Sequence, residues 1–553
     1  MIVVPVVGAL VATAPLAAAE PVEDRSQPGG PAASTSAAFR GPRWEQPETV
    51  PSVDAPRAST EEFATVEVRA ADRAGNPVEG ASYSIYDLDT AAQVGFGRTG
   101  PDTTVRLPVG RYSATAMVTT SDTRTMVVLP EVSVTADTTV VFDARDGRQV
   151  SVALDEPRAQ QVSAAVLVYQ RAGNGRTIKY GLGAENFAGG VYVTPTPTRA
   201  DLTTYVYTFW TRPDLPDVYN LINRSAGRVP ARPSYQVRTA DLAAVRVRYA
   251  AQAVDSCGGT YIGPHLAGTR APLAYGTTFR LPTQRTEFYT AERAGDVAWY
   301  TEFGQTTADC SFDAYDTLTN TPTRYPRRGS YTASWNTAPL APRTATDADG
   351  RPTAVRHGDT MAIGVPMYVD SQPGHADLGD LPAGATGTVK LFHGERLVAE
   401  SPSPRPLTGQ VPPDVGDYRL TASAERNVGW STLATRTETT WTFRSRTTPE
   451  ALALPLINAR YRLALDDHNR APADVPVRLS VHFEHPLSIV HTRLSISHDE
   501  GGTWRPVTLT GSGDQRHALL RHPAGGSVSL RLEAHDREGN GITQTLIRAY
   551  VTR

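Results

Sequence analysis

Ser497-His498-Asp499-Glu500-Gly501-Gly502-Thr503-Trp504 reads S-x-D-x-G-x-T-W and lies between two segments that alternate apolar and polar residues. Asp499 is placed to accept hydrogen bonds from the turn backbone, and Gly501 or Gly502 can adopt a positive φ angle. We expect Trp504 to fold back and cap the hairpin over apolar surface. The stretch therefore predicts a β-hairpin within an antiparallel sheet.

This spacing resembles the Asp-box, a hairpin motif of secreted β-proteins that occurs in sialidase-like propellers and in binding modules alike. Its positions in this chain are Ser497, Asp499, Gly501, Thr503 and Trp504. The motif occurs once, whereas a propeller is built from repeated blades and would carry several copies. We therefore interpret it as a structural hairpin of an extracellular β-protein and not as a sign of catalysis.

Alternating segments also flank the motif. The apolar positions of one parity are Val475, Val477, Leu479, Val481 and Phe483 before it, and Val528, Leu530 and Leu532 after it. Both segments are expected to be half-buried strands of an antiparallel sheet. Since almost no window from residue 61 onward shows helical periodicity, the predicted fold class is all-β, with tandem antiparallel β-sandwiches of the Ig-like or jelly-roll-like kind.

The N-terminal residues have the pattern of an export signal. Residues 2–14 form an apolar run, and Ala17-Ala18-Ala19 precedes Glu20 like a signal-peptidase site. No Lys or Arg precedes the run, which suggests that Met1 lies downstream of the true start. Because the run is too short to cross a bilayer, we expect a signal peptide over residues 1–19, a secreted protein and no membrane span in the mature chain.

Composition divides the rest of the chain into a linker and four β regions. Residues 20–60 are rich in Pro, Ser, Ala and Gly and predict a disordered linker. The β-sandwich regions are expected at residues 61–147, 148–345, 346–450 and 451–553. The second of them can be read as one large sandwich or as two small ones.

Cys257 and Cys310 are the only cysteines. In an exported protein an even pair favours a structural disulfide, and two cysteines so far apart lack the spacing of metal ligands. The net charge is −3 with both signs dispersed, so no basic surface for nucleic acid is indicated. Lys179 and Lys390 are the only lysines beside many arginines, which suggests a GC-rich, actinobacterial genome.

The first β region contains a recognisable order of elements. A strand beginning at Phe63 is followed by the turn Ala74-Gly75-Asn76-Pro77, by Leu107-Pro108-Val109-Gly110-Arg111-Tyr112 and by a closing strand at Val132. This order resembles the small carboxypeptidase-regulatory-like β-sandwich over most of residues 61–147. The resemblance implies a spacer or a binding platform.

A broader resemblance covers nearly everything after residue 61. It is carried by the segments 285–289, 331–336, 356–359, 416–420, 441–445, 536–540 and 547–550, together with the hairpin motif. In this order they resemble the non-catalytic C-terminal region of secreted subtilisin-like serine peptidases of actinobacteria. The peptidase domain itself is absent, and what the resemblance implies is an accessory role.

The linear signatures of catalysis are missing. A subtilisin-like site needs Asp in D-[ST]-G, His in H-G-T and Ser in G-T-S-M-A, and none of these occurs. Eight histidines concentrate from His468 onward, which raises a zinc site as one alternative. His482 and His485, however, would point to opposite faces of a strand, so solvated histidines are the alternative we favour. We assign no catalytic residue, no metal ligand and no cofactor.

Aromatic side chains leave a binding function open. Trp210, Tyr300, Tyr368 and Trp430 could form a platform for sugar or peptide, and core packing is the alternative for each. We expect a secreted, monomeric, non-catalytic accessory protein that presents a surface to an extracellular protein, peptide or polysaccharide, or to the cell envelope. The alternatives are a hydrolase, peptidase or glycosidase, whose site lacks a linear motif, and an inactive remnant of a split protease gene.

Overall fold

The structure is a computed structural model that describes residues 62–266, 269–270, 273–292, 295–306, 310, 314–344, 346, 351–377, 381, 384–402, 406–485 and 487–553. The expected signal peptide and linker, residues 1–60, lie outside these residues. The described chain contains 40 strands and two 3-10 turns, Ala144–Asp146 and Thr239–Asp241, and it contains no α-helix. The predicted all-β fold class is therefore confirmed.

The N-terminal strands form two sheets around one apolar core. They are β1 (Phe63–Ala71), β2 (Ser82–Asp87), β3 (Gln93–Arg98), β4 (Thr104–Pro108), β5 (Gly110–Thr119), β6 (Arg124–Val134) and β7 (Thr138–Asp143). One sheet has the order β4-β1-β7, and β3-β2-β5-β6 face it. Tyr112 is buried and donates a hydrogen bond from its hydroxyl to the Pro108 carbonyl at 2.6 Å, which fixes the turn before β5.

The middle of the chain contributes sixteen described strands. They are β8 (Arg148–Gln149), β9 (Ser151–Leu154), β10 (Gln160–Arg171), β11 (Thr177–Ala184), β12 (Val191–Val193), β13 (Leu202–Thr211), β14 (Val218–Ala226), β15 (Ser234–Val237), β16 (Leu242–Tyr249), β17 (Ser256–Leu266), β18 (Thr269–Arg270), β19 (Tyr275–Leu281), β20 (Thr283–Thr290), β21 (Val297–Thr306), β22 (Ala314–Asn320) and β23 (Gly329–Trp335). Seven of these form a sheet with the order β11-β10-β13-β14-β20-β16-β23. Strands β17, β19, β21 and β22 form the core of a facing sheet.

The remaining strands complete the C-terminal half. They are β24 (Ala354–Gly358), β25 (Thr360–Ile363), β26 (His375–Asp377), β27 (Ala385–His393), β28 (Arg396–Pro402), β29 (Leu407–Gln410), β30 (Gly416–Arg426), β31 (Arg436–Ser445), β32 (Thr448–Ala453), β33 (Asn458–Arg462), β34 (Arg470–Ala471), β35 (Val477–Glu484), β36 (Ile489–Ser497), β37 (Arg505–Val507), β38 (Gln515–Leu520), β39 (Ser527–Asp536) and β40 (Gly541–Thr552). Strand β31 pairs with β40 in a nine-stranded sheet, so hydrogen bonding continues from the third β region into the fourth.

The seven-stranded sheet is covered on both faces. Ala165 and Leu167 of β10 belong to the core shared with β17 and β21, whereas Ala164 and Val166 belong to the core shared with β6 and β12. Alternate residues of a strand point to opposite faces, so a continuous apolar run is the pattern of such a strand. The N-terminal and middle regions therefore stack as four layers of sheet, with β4-β1-β7 as the outermost layer on one side.

The two alternating segments differ in outcome. In β35 the apolar positions are buried and the polar ones half-buried or exposed, as predicted. In β39 the prediction of a half-buried strand is wrong at its beginning, because Ser527 and Ser529 are buried together with Val528 and Leu530. The Ser529 hydroxyl accepts a hydrogen bond from the Arg548 backbone at 3.1 Å, which satisfies the inward polar group.

The predicted disulfide joins Cys257 and Cys310, whose Cα atoms lie 5.1 Å apart. Cys257 lies in β17 and is fully buried, and Cys310 follows β21, the strand that pairs with β17. The bond therefore ties two neighbouring parts of the sheet that covers one face of the seven-stranded sheet.

Replacing both cysteines, Cys257→Ser with Cys310→Ser, should destabilise this sheet by about 4 kcal/mol, because the loop of 53 residues is no longer closed in the unfolded chain. Hydrogen exchange of the β17 and β21 amides measures the loss. The exposed Ser234→Ala serves as the control. Unchanged protection of β17 in the double variant would contradict the expectation.

Candidate binding cleft

The predicted hairpin turn has the expected hydrogen bonds. Asp499 accepts the Thr503 backbone N–H at 2.8 Å and the Thr503 hydroxyl at 2.6 Å. The Ser497 hydroxyl donates to Asp499 at 2.6 Å and accepts the Gly501 backbone N–H at 2.8 Å. The hydrogen bonds from Ser497, and then those from Thr503, hold the pKa of the Asp499 carboxyl well below its ordinary value. The carboxylate is used in holding the turn together.

Gly501 supplies the positive φ angle, at +93°, and the preceding Glu500 has a positive φ of 56°. A Cβ atom at Gly501 would lie 3.1 Å from Ile547 and 3.4 Å from the Trp504 ring, so the indole folds back over the turn. The Arg531 guanidinium lies 4.2 Å from the centroid of that ring. The hairpin is therefore capped by Trp504, and its residues serve the fold.

The C-terminal histidines have separate partners. His482 lies 3.5 Å from Asp514, and His485 lies 2.8 Å from Asp536. Within the described residues, no three His, Cys, Asp or Glu side chains form a group that could hold a metal ion.

One histidine is enclosed beneath the hairpin. His522 is 1% exposed, and its ring nitrogens lie 3.2 Å from the His498 ring and 3.1 Å from the Tyr550 hydroxyl. Burial, and then the charge on His498, lower the pKa of His522 to about 4. Its imidazole is therefore neutral at neutral pH.

The four aromatic residues that could have formed a platform do not share one surface. Tyr300 and Tyr368 are 3% and 1% exposed, so both side chains pack in the core. Trp210 is half-buried and donates from its indole N–H to the Thr208 hydroxyl at 2.8 Å. Trp430 is half-buried in the C-terminal half, where the Arg426 guanidinium lies 5.3 Å from its ring.

A different set of aromatic side chains surrounds a cleft of about 760 Å³ in the middle of the chain. The cleft opens where β23 ends the seven-stranded sheet and where β26, paired with β22, ends the facing sheet. At this edge the two sheets separate, so side chains that point into the core are accessible from solvent. We call this space the edge cleft.

Aromatic rings form the wall of the edge cleft. The ring of Tyr325 stacks on Tyr289 with centroids 4.8 Å apart and meets the edge of Tyr331 at 5.1 Å. Trp335 stacks on His375 at 4.0 Å, and the His375 ring lies 2.8 Å from the buried Asp370 carboxylate. Tyr325 and Tyr331 are half-buried, so part of their surface faces the cleft.

The rim of the edge cleft is polar and positively charged. Arg324 is exposed at this rim and forms no ion pair with a described residue. Asn320, Thr323 and Gln372 also border the cleft. Arg246, Ser330, Thr332 and Ser334 have the parity opposite to Val245 and Tyr331, so their side chains lie on the other face of the sheet. Aromatic wall, neutral hydrogen-bonding groups and an unpaired cation are the features of a binding site for a polar, acidic ligand.

A buried ion pair forms the floor of the cleft. Arg285 and Glu287 have side chains 1% and 3% exposed, and a guanidinium nitrogen lies 2.6 Å from the carboxylate. The hydroxyls of Tyr249 and Tyr289 each donate to Glu287 at 2.6 Å. Arg285 also donates to the hydroxyls of Thr260 and Thr277, each at 2.9 Å.

These bonds occupy the Glu287 carboxylate within the fold. Both of its oxygens accept hydrogen bonds, and it is the only carboxylate among the described residues that line the cleft. Burial, and then the charge of Glu287, raise the pKa of Tyr289 well above its ordinary value, so its hydroxyl stays a donor. The pair serves the fold and shapes the cleft.

Sequence reasoning did not identify this site. Tyr331 and Trp335 share one parity of β23, but that alternation is equally typical of core packing. Tyr325 and Glu287 carry no local pattern, and β23 reaches this part of the sheet only by pairing with β16, which in turn pairs with the strand of Glu287. Arg324 lacks an ion-pair partner among the described residues, and this becomes visible only in the folded structure, because the sequence does not show which carboxylates lie near it.

The variant Glu287→Gln should destabilise the middle sheets by about 3–5 kcal/mol, because it leaves the Arg285 charge buried without its partner. Hydrogen exchange of the β16 and β20 amides reports the loss. The matched control is Asp89→Asn, which removes the exposed Arg111–Asp89 pair and should cost less than about 1 kcal/mol. Equal effects of the two variants would be evidence against the buried pair.

Acidification should loosen β39 and β40. The pKa of His522 is about 4 in the folded chain and 6.5 for an ordinary histidine, so between these values the unfolded chain alone binds the proton. Stability is then full above pH 6.5 and falls by about 2–3 kcal/mol on going to pH 4.5. Hydrogen exchange of β40 at pH 7 and 4.5 measures the change.

The variant His522→Asn should remove most of this dependence, whereas the exposed His491→Asn should leave it unchanged. Identical pH profiles of wild type and His522→Asn would contradict the assignment.

No protein-family model matches the chain, and no curated protein matches it. The described residues include no helix with the length and apolar character that crossing a membrane requires. Among solved structures the chain is similar to a chimeric titin Z1Z2-Z1Z2 tandem, at 13% identity over 38% of this chain and 99% of that one, with a TM-score of 0.15. It is also similar to a Ca2+-stabilized adhesin of an Antarctic bacterium that binds ice, at 9% identity over 80% and 94% of the chains, with a TM-score of 0.14. Fibronectin(III)-like modules of Clostridium thermocellum CbhA match at 15% identity over 36% and 87%, with a TM-score of 0.13.

Proposed function

We propose that the chain is a secreted, non-catalytic binding protein that holds an acidic polysaccharide of an extracellular surface in the edge cleft. The observation that carries this proposal is the combination of the half-buried Tyr325 and Tyr331 with the unpaired Arg324 at one open edge. Aromatic faces accept the flat faces of sugar rings, and the guanidinium group pairs with carboxylates of the polymer. The hydroxyl and amide groups between them suit sugar hydroxyls better than apolar peptide side chains.

Secretion and an accessory role form part of the same proposal. The export pattern of residues 1–19 supports secretion, and the disulfide is compatible with an oxidising compartment. The resemblance of the chain to the C-terminal region of subtilisin-like peptidases supports a role beside a separate peptidase, which the bound polymer would hold at the envelope.

The test is binding of polygalacturonate oligosaccharides to the purified chain by isothermal titration calorimetry. Tyr331→Ala and Arg324→Ser should each weaken binding about tenfold, which corresponds to about 1.4 kcal/mol. The neutral cellohexaose should bind at least tenfold more weakly than the acidic probe. Tyr192→Ala, which removes a half-buried tyrosine beside Arg73 far from the cleft along the chain, is the matched control.

Polygalacturonate affinity that is the same in Tyr331→Ala, Arg324→Ser and wild type would place binding elsewhere and overturn the proposal. Release of new reducing ends from the probe during incubation would overturn the non-catalytic part and favour the hydrolase alternative. Unfolding of a variant is recognised by its circular dichroism, and Arg324→Gln then takes the place of Arg324→Ser, because it also removes the charge while keeping a longer side chain.

A further inference from the structure

A second groove lies in the C-terminal half between the edges of two sheets. Strand β37 ends the nine-stranded sheet, and β38 ends the sheet β33-β35-β38. The space between these edges measures about 700 Å³ and is lined by both strands and by Thr508 and Arg521. We call it the double-edge groove.

The backbone of β38 is open toward this groove. His517 exchanges two backbone hydrogen bonds with Thr510, at 2.8 and 2.9 Å, on the side of β38 that faces away from β35. Backbone groups alternate sides along a strand, so the N–H and C=O of Leu519 point the same way as those of His517. The chain that pairs at Thr510 turns away toward β37, and no described residue bonds to Leu519 on this side.

The side chains around this open position combine one apolar surface with three cations. Leu519 is 70% exposed, the largest exposure among the large apolar residues described. Arg478, which lies opposite Leu519 on β35, Arg505 of β37 and Arg521 all line the groove. None of the three forms an ion pair with a described carboxylate, and the described residues that line the groove include no Asp or Glu. Arg521 donates only to the Asp474 backbone carbonyl, at 3.1 Å.

We propose that the double-edge groove binds an extended acidic segment of a partner protein, which adds to β38 as a further strand. Backbone groups of the segment bond to Leu519, an apolar side chain packs on the Leu519 side chain, and acidic side chains meet the three arginines. An open strand edge is a template for a peptide backbone. A polysaccharide has no such backbone, so the same cations beside an open edge favour a peptide here.

The charge pattern explains why this edge stays free. Exposed edge strands are protected from self-association by charged side chains, and arginines at both edges of the groove repel a second copy of the same surface. A segment that carries acidic residues removes this repulsion. The groove therefore selects its partner by charge and holds it by backbone pairing.

The experiment measures binding of a fluorescein-labelled peptide, Glu-Val-Glu-Val-Glu with blocked ends, to the full chain by fluorescence anisotropy. The double variant Arg478→Ser with Arg505→Ser should lose about tenfold in affinity, from about 0.5–1 kcal/mol for each charge. The matched control, Arg462→Ser with Arg537→Ser, removes two exposed arginines outside the groove and should bind like wild type.

A second peptide separates strand addition from attraction of charge. The same sequence with N-methylated amides keeps every carboxylate but loses the N–H donors, and it should bind at least tenfold more weakly. Equal binding of the two peptides, or equal loss in the groove variant and its control, would overturn the proposal. Competition by polygalacturonate that disappears in the groove variant would also overturn it, because the groove would then be a site for polyanions.

This outcome is independent of the edge cleft. Tyr331→Ala should leave peptide affinity unchanged, and the groove variant should leave polygalacturonate affinity unchanged. Each proposal can therefore fail in its own binding measurement while the other measurement is unaffected.

Discussion

Strand β10 of the seven-stranded sheet is apolar on both faces, and the arrangement of the N-terminal and middle regions depends on that constraint. Ala164 and Val166 enter one core and Ala165 and Leu167 enter the other, and all four are fully buried. A sheet of this kind is stable in water only between two covering layers. One layer is supplied by β6 and β12, which pair with each other, and the other by the sheet of β17 and β21 that the disulfide joins.

Because sheets cover the core on both sides, polar groups inside the stack must find hydrogen-bond or ion-pair partners there. Arg285 and Glu287 lie in the core between the seven-stranded sheet and its disulfide-linked cover, where an unpaired charge would be very costly. Four hydroxyl groups stabilise the pair: two tyrosine hydroxyls donate to Glu287, and two threonine hydroxyls accept from Arg285. The same pair stands at the floor of the edge cleft, because the layers part only beyond β23. The edge cleft is thus a consequence of where the stack ends.

Local features of this fold could be predicted from the sequence, whereas the sites could not. The hairpin at Asp499 depends on bonds within a few residues, and the alternation of β35 reports one exposed face directly. The error in β39 has a nonlocal cause, since Ser529 is buried by its neighbours and satisfied by Arg548. Tyr331 and Glu287 lie on either side of Val245 only through pairing of strands distant in sequence, and no spacing along the chain encodes that arrangement.

Both candidate surfaces lie at sheet edges, and both depend on arginines whose charge is not used inside the fold. The chain as a whole carries a net charge of −3, so at long range it does not attract an acidic polymer or peptide. Charges on the surface are screened beyond roughly 8 Å at physiological salt, so an approaching ligand responds to the local set of side chains. Many other arginines are paired, as Arg212 is with Asp214 and Glu156, and their fields cancel. In both proposals, selectivity therefore comes from placement of charge and not from its amount.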